Sequence, residues 1–115
     1  MRRAPDDVVT VATSSSDPAY RCLLWRCAGC REIHACQVAG KPQQPTWTWN
    51  GSTTKPTLSP SVLKRPESTE SGKRCHSFVR EGVVEFLADC DHELVGQKVP
   101  MTPELADPFR EPRTC

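Results

Sequence analysis

Cys75-His-Ser-Phe-Val-Arg-Glu-Gly-Val-Val-Glu-Phe-Leu-Ala-Asp-Cys90 is the stretch on which the fold turns. From His76 to Leu87, β-branched and aromatic residues flank Glu81-Gly82, the composition of a β-hairpin. With Glu81 and Gly82 as the two turn residues, Arg80 pairs with Val83, Phe78 with Glu85 and Cys75 with Ala88. Side chains alternate across a strand. Cys75, Val79, Val84, Phe86, Ala88 and Cys90 therefore share the more apolar face, and His76 points to the other. A three-residue loop would pair Cys75 with Leu87 instead, so the assignment depends on register.

Outward from this hairpin the chain keeps reading as strand and turn. Thr46-Trp-Thr-Trp49 alternates strictly, which puts both indoles on one face with at least one in the core. Asn50-Gly51 marks a turn, and Pro56 to Leu63 is held extended by its prolines. Tyr20 to Arg26 reads as a strand leading into Cys27-Ala-Gly-Cys30, and Ile33 to Val38 leads out, so the C-x-x-C knuckle caps a hairpin. Glu67 to Lys73 is a polar loop. Asp91 to Gln97 has room for one helical turn, ended by Gly96.

The knuckle predicts a metal. Its two sulfurs converge on one point, and tetrahedral Zn²⁺ accepts four such ligands at about 2.3 Å. Cys75 and Cys90, together at the open end of the hairpin, complete a structural Zn²⁺ site of Cys27, Cys30, Cys75 and Cys90. His92 is the rival to Cys90, and His34, four residues after Cys30, is a weaker candidate. Cys22 and Cys36 are expected to be small buried hydrophobes. Cys115 is terminal and expected to be free.

The expected fold is mostly β, a small antiparallel zinc-stabilised domain with little helix. It spans residues 19–100, after a flexible arm at 1–18 and before a Pro-rich tail at 101–115 with at most one turn near Glu104–Ala106. Within the arm, Val8, Val9 and Val11 can form a short edge strand. The chain has 115 residues, 37% hydrophobic, with 11 prolines. Its core is modest, and a metal would supply folding free energy that the core lacks.

Fifteen basic and fourteen acidic residues leave a net charge of +1, which does not call for nucleic acid or an anionic membrane. No apolar run is long enough for a signal-peptide core or a membrane span. An odd count of seven cysteines without a secretion signal points to metal ligation in a reducing, cytoplasmic compartment.

With four cysteines on the metal, His76 is left over, beside a zinc ligand. Ser59 and Ser61 sit on the stiff, proline-flanked segment. A Ser–His pair for acyl transfer needs a hydroxyl within hydrogen-bond reach of an imidazole, and Asp89 or Asp91 can orient the ring. The same residues have blander uses: Ser-Pro pairs make turns, and strand histidines satisfy carbonyls. His92-Glu-Leu-Val-Gly96 begins like H-E-x-x-H, but Gly96 stands where the second histidine would be.

At Pro56-Thr-Leu-Ser-Pro-Ser-Val62, Cys75-His-Ser-Phe-Val79 and Asp89-Cys90 followed by His92-Glu-Leu-Val-Gly-Gln97, the chain resembles a family of small proteins of tailed phages and bacteria. Its members are often mislabelled as ammonia monooxygenases. The resemblance covers roughly residues 20–100 and includes the knuckle and Trp47-Thr-Trp49-Asn-Gly51. It implies a zinc-bearing β domain and peptidase activity, because some relatives are thought to process a bacterial ubiquitin-like protein. It also implies a protein substrate or partner, and a bacterial host cell if the chain is phage-encoded.

Three functions compete: a Ser/His hydrolase stiffened by structural zinc, a non-catalytic zinc module that binds a protein, and a nucleic-acid-binding finger. Only Lys64-Arg65, Lys73-Arg74 and the tryptophan pair favour the last. The distance from Ser59 or Ser61 to His76 separates the first two.

Overall fold

The computed structural model describes residues 6–106. Eight strands are present among them, in chain order β1 Thr10–Thr13, β2 Arg21–Arg26, β3 Ile33–Ala39, β4 Thr48–Trp49, β5 Leu58–Lys64, β6 Cys75–Arg80, β7 Val83–Phe86 and β8 Lys98–Pro100. They form two antiparallel sheets, one ordered β1-β2-β3 and the other β4-β5-β6-β7-β8. Two short 3₁₀ turns, Pro66–Ser68 and Pro103–Leu105, are the only helical pieces among the described residues. The fold is mostly β, as the alternating sequence implied.

The β6–β7 register follows from its turn. Glu81 and Gly82 have φ of 48° and 76°, the left-handed pair of a two-residue hairpin turn. The strained Glu81 is tied down by its N–H, which donates to Thr57 Oγ1 at 2.9 Å. Arg80 then faces Val83 and Phe78 faces Glu85. Cys75, Ser77, Val79, Val84 and Phe86 are buried, whereas His76 and Phe78 lie half-buried on the outer face. The ladder stops at Phe86, however. Leu87 N–H still donates to His76 O, at 2.9 Å, and Cys90 N–H then turns back to Leu87 O, at 3.1 Å. Ala88, expected on the buried face, is exposed on this turn.

One core joins the two sheets. Leu23, Trp25 and Cys36 from the first meet Leu58, Val62, Val79, Val84 and Phe86 from the second. A smaller cluster of Ala12, Tyr20, Cys22 and Leu24 covers the other side of β2. Trp47 and Trp49 are both half-buried and packed against the main core, while Thr46 and Thr48 are exposed. The two-residue alternation thus has its expected consequence.

Residues 8–13, expected within the flexible arm, are packed: Val8 and Val9 are buried, and β1 pairs with β2. Their apolar side chains fill the space between the sheets, which outweighs the polar composition around them. At the other end, Lys98–Pro100 adds as edge strand β8 against β7, and Ala106 is fully buried. Proline is tolerated on such an edge. Asp91 to Gln97 forms bonded turns and no helix, with Gly96 at φ 77°. The expectations for Cys115 and for the rest of the tail fall outside the described residues.

Candidate functional site

β5 does not pair evenly with β6. Leu58 lies opposite Val79 and Val62 opposite Ser77, so four residues on β5 span what two span on β6. The two extra residues lie within Ser59-Pro60-Ser61, which bulges from the ladder, and a bulge re-aims side chains. Trp47 fixes the bulge by donating its indole N–H to Ser61 O at 3.1 Å. Ser61 Oγ lies 2.8 Å from His76 Nε2. The other ring nitrogen, Nδ1, lies 3.0 and 3.1 Å from the two carboxylate oxygens of Asp89. A carboxylate can only accept, so Nδ1 carries the proton, and in the neutral ring Nε2 accepts from the Ser61 hydroxyl.

Ser61, His76 and Asp89 thus form one hydrogen-bonded chain. Ser59 sits opposite Thr48 on β4 instead. Asp91 Oδ2 accepts from Arg74 N–H at 2.9 Å and braces the start of β6. The imidazole side chain is 24% exposed, open to a substrate from the outer face of the sheet. Desolvation acts to raise the Asp89 carboxyl. The hydrogen bond from His76, one from its own backbone, and the charges of His76 and Arg74 outweigh this and hold it below its ordinary value.

On the inner face, Cys27, Cys30, His34 and Cys75 are all buried, with their ligand atoms all within 4.8 Å of one another. Cys27 Sγ and Cys75 Sγ are 3.7 Å apart, and Cys30 Sγ is 3.3 Å from His34 Nε2. These four could hold a metal ion. Cys27 and Cys30 come from the knuckle between β2 and β3, closed by Cys27 N–H to Glu32 O at 2.9 Å. His34 stacks on Trp25, ring centroids 5.3 Å apart.

The four groups perturb one another's protonation. Hydrogen bonds with Cys27 and Cys75 pull the Cys30 thiol down, while hydrogen bonds with Cys27 and Cys30, together with burial, push Cys75 up. Three sulfurs this close cannot all ionise alone. Burial acts to lower His34, but the Cys27 and Cys30 sulfurs beside it raise it to about 9.

The grouping differs from the expected ligand set at one position: His34 stands with Cys27, Cys30 and Cys75, and Cys90 does not. The turn at Leu87–Cys90 ends the ladder, and Cys90 stays near Cys75 but in a separate group with His92. Cys90 Sγ instead donates to His76 O at 3.0 Å and receives His76 N–H at 3.3 Å. Burial pushes its thiol up. A signal for His34 was present in the sequence. Alternation back from Cys36, rightly expected to be buried, places His34 on the same inward face.

Cys75, Cys90 and His92 form a second buried group. The His92 ring packs edge-on to Phe86 and lies so close to Gly29 that a Cβ there would be 2.3 Å from its Cε1. The knuckle's third residue is therefore glycine for this close approach. His92 Nδ1 accepts from Leu94 N–H at 3.3 Å, and its buried Nε2 has no partner among the described residues.

A profile of the family described as bacterial ubiquitination-like system serine protease (BubE) matches residues 2–87, and the chain belongs to that family. No curated protein and no solved structure is detectably similar to it. No helix among the described residues is long and apolar enough to cross a membrane.

Proposed function

We propose that this member of the family is a serine peptidase in which Ser61 is the nucleophile, His76 the general base and Asp89 the group that orients the imidazole. The observation that carries this reading is the continuous run from Ser61 Oγ through both ring nitrogens of His76 to the Asp89 carboxylate, at 2.8 and 3.0 Å. Ser61 gives its proton to Nε2 as its oxygen attacks the substrate carbonyl. The imidazolium so formed is stabilised by Asp89, whose carboxyl stays ionised. His76 then returns the proton to the departing amine. The acyl-enzyme is hydrolysed by water that His76 activates in turn.

The substrate is a protein, and the family description supports a ubiquitin-like one. A cleft of about 440 Å³ adjoins the bulge, lined by Thr57, Leu58, Ser59, Pro60, Phe78, Arg80 and Glu81, and has room for a polypeptide segment. Near-neutral net charge argues against nucleic acid.

The metal in this reading is Zn²⁺ on Cys27, Cys30, His34 and Cys75. With Zn–S bonds of about 2.3 Å, sulfurs on a tetrahedron lie about 3.8 Å apart, and Cys27 and Cys75 are 3.7 Å apart. Four protein ligands leave no open position, so the ion is structural, joining the knuckle to the first residue of β6.

The test is cleavage of a ubiquitin-like protein bearing a C-terminal extension or an attached target. The intact protein should release it, and the S61A and H76A variants should not. Release by S61A at the same rate would overturn the assignment.

A further inference from the structure

In a regular antiparallel ladder His76 would exchange two hydrogen bonds with Leu87. Only one forms: Leu87 N–H donates to His76 O, whereas Leu87 O is taken by Cys90 N–H. The His76 N–H that loses its backbone acceptor is received by Cys90 Sγ at 3.3 Å. The same thiol donates to His76 O at 3.0 Å, filling the second lone pair of that carbonyl. Adjacent side chains thus grip one residue, Asp89 holding the His76 ring and Cys90 holding its backbone.

We infer that Cys90 is a positioning residue for the Ser61–His76–Asp89 triad. Its thiol substitutes for a missing ladder bond and sets the distance between the Asp89 carboxylate and the His76 ring. The inference rests on the proposed hydrolase reading. It gives a role to a buried cysteine that lies near Cys75 but outside the Cys27–Cys30–His34–Cys75 group. Asp89 lies on a turn outside the ladder and is exposed. The bonds from Cys90 to the His76 backbone therefore tie that turn to β6.

The experiment uses the full chain and two variants, C90A and C90S, because a serine hydroxyl can both donate and accept as the thiol does. Three quantities are read: metal content, the downfield proton resonance of His76 Nδ1–H bonded to Asp89, and the rate at which a fluorophosphonate modifies Ser61. C90A should keep the metal, lose the downfield resonance and react more slowly, on the order of 100-fold, as expected when a reacting group is misplaced. C90S should recover the resonance and most of the rate. A C90A protein with unchanged resonance and rate overturns the inference. So does loss of metal from C90S, which would make Cys90 a ligand. If the unaltered protein does not react with the probe, the hydrolase reading fails, and the resonance still reports on Cys90 by itself.

Discussion

Cys75 and His76 are consecutive on β6 and face opposite sides of the sheet. The Cys75 sulfur enters the buried Cys27–Cys30–His34 group, and the His76 ring meets Ser61 and Asp89 on the outer face. A single peptide bond therefore links the two centres. Whatever fixes the sulfur also fixes the backbone from which the imidazole projects.

Metal removal should accordingly cost both the fold and the reactivity of Ser61. Binding of structural zinc contributes on the order of 10 kcal/mol, comparable to the whole stability of a small domain, about 5–15 kcal/mol. A strong chelator should collapse the thermal transition seen by circular dichroism. Acidification should release the ion as well, since protons compete for the thiolates. An unchanged transition after complete metal removal would argue against a structural role.

The ligand set is tested by H34A and H92A. Loss of His34 should strip or greatly weaken the bound metal. Loss of His92 should leave it in place, because His92 lies outside the Cys27–Cys30–His34–Cys75 group. Metal analysis after dialysis against a weak chelator distinguishes the two. The reverse pattern would exchange their roles.

G29A should be destabilising out of proportion to its size. The added Cβ would sit 2.3 Å from His92 Cε1, and the ring is buried against Phe86 with little room to retreat. Overpacking of this kind costs about 1–3 kcal/mol, measurable as a lowered urea midpoint of the metal-loaded protein.

Asp89 should matter through its charge. Its carboxyl is held below its ordinary value, so the group is ionised throughout the neutral range. A depressed carboxyl contributes its stabilisation above the unfolded-state value and loses it as pH falls through the folded-state value. D89N should thus slow turnover near neutrality by on the order of 10⁴-fold, as when the orienting aspartate of a serine protease is replaced by asparagine. The stability gap between the two proteins that arises from this charge should close only in acid. Turnover by D89N within a factor of a few of the unaltered protein would remove Asp89 from the site.

Much of this could be read in the chain before its structure. Glu81-Gly82 fixed the register of β6 and β7, and with it which of Cys75 and His76 faces inward. The C-x-x-C knuckle pointed to a buried cluster that could hold a metal. Hidden from the sequence was where the ladder stops. Past the turn at Leu87–Cys90, Cys90 stays buried near Cys75, but its sulfur bonds the His76 backbone and groups with His92, not with the Cys27–Cys30–His34 group. The bulge was hidden too: nothing local to Ser59-Pro60-Ser61 says that the second serine, not the first, meets His76. That choice depends on β6, and on Trp47 reaching from a distant loop. The packed Val8 and Val9 were offered only as an edge strand, because their burial is decided by the opposing sheet.

Reaction of the metal-loaded protein with a fluorophosphonate, followed by mass spectrometric mapping of the modified residue, tests the central claim most directly. The account predicts a single modified serine, Ser61, with H76A unmodified at full metal content. No modification of the folded protein, or modification at Ser59 in place of Ser61, would contradict it.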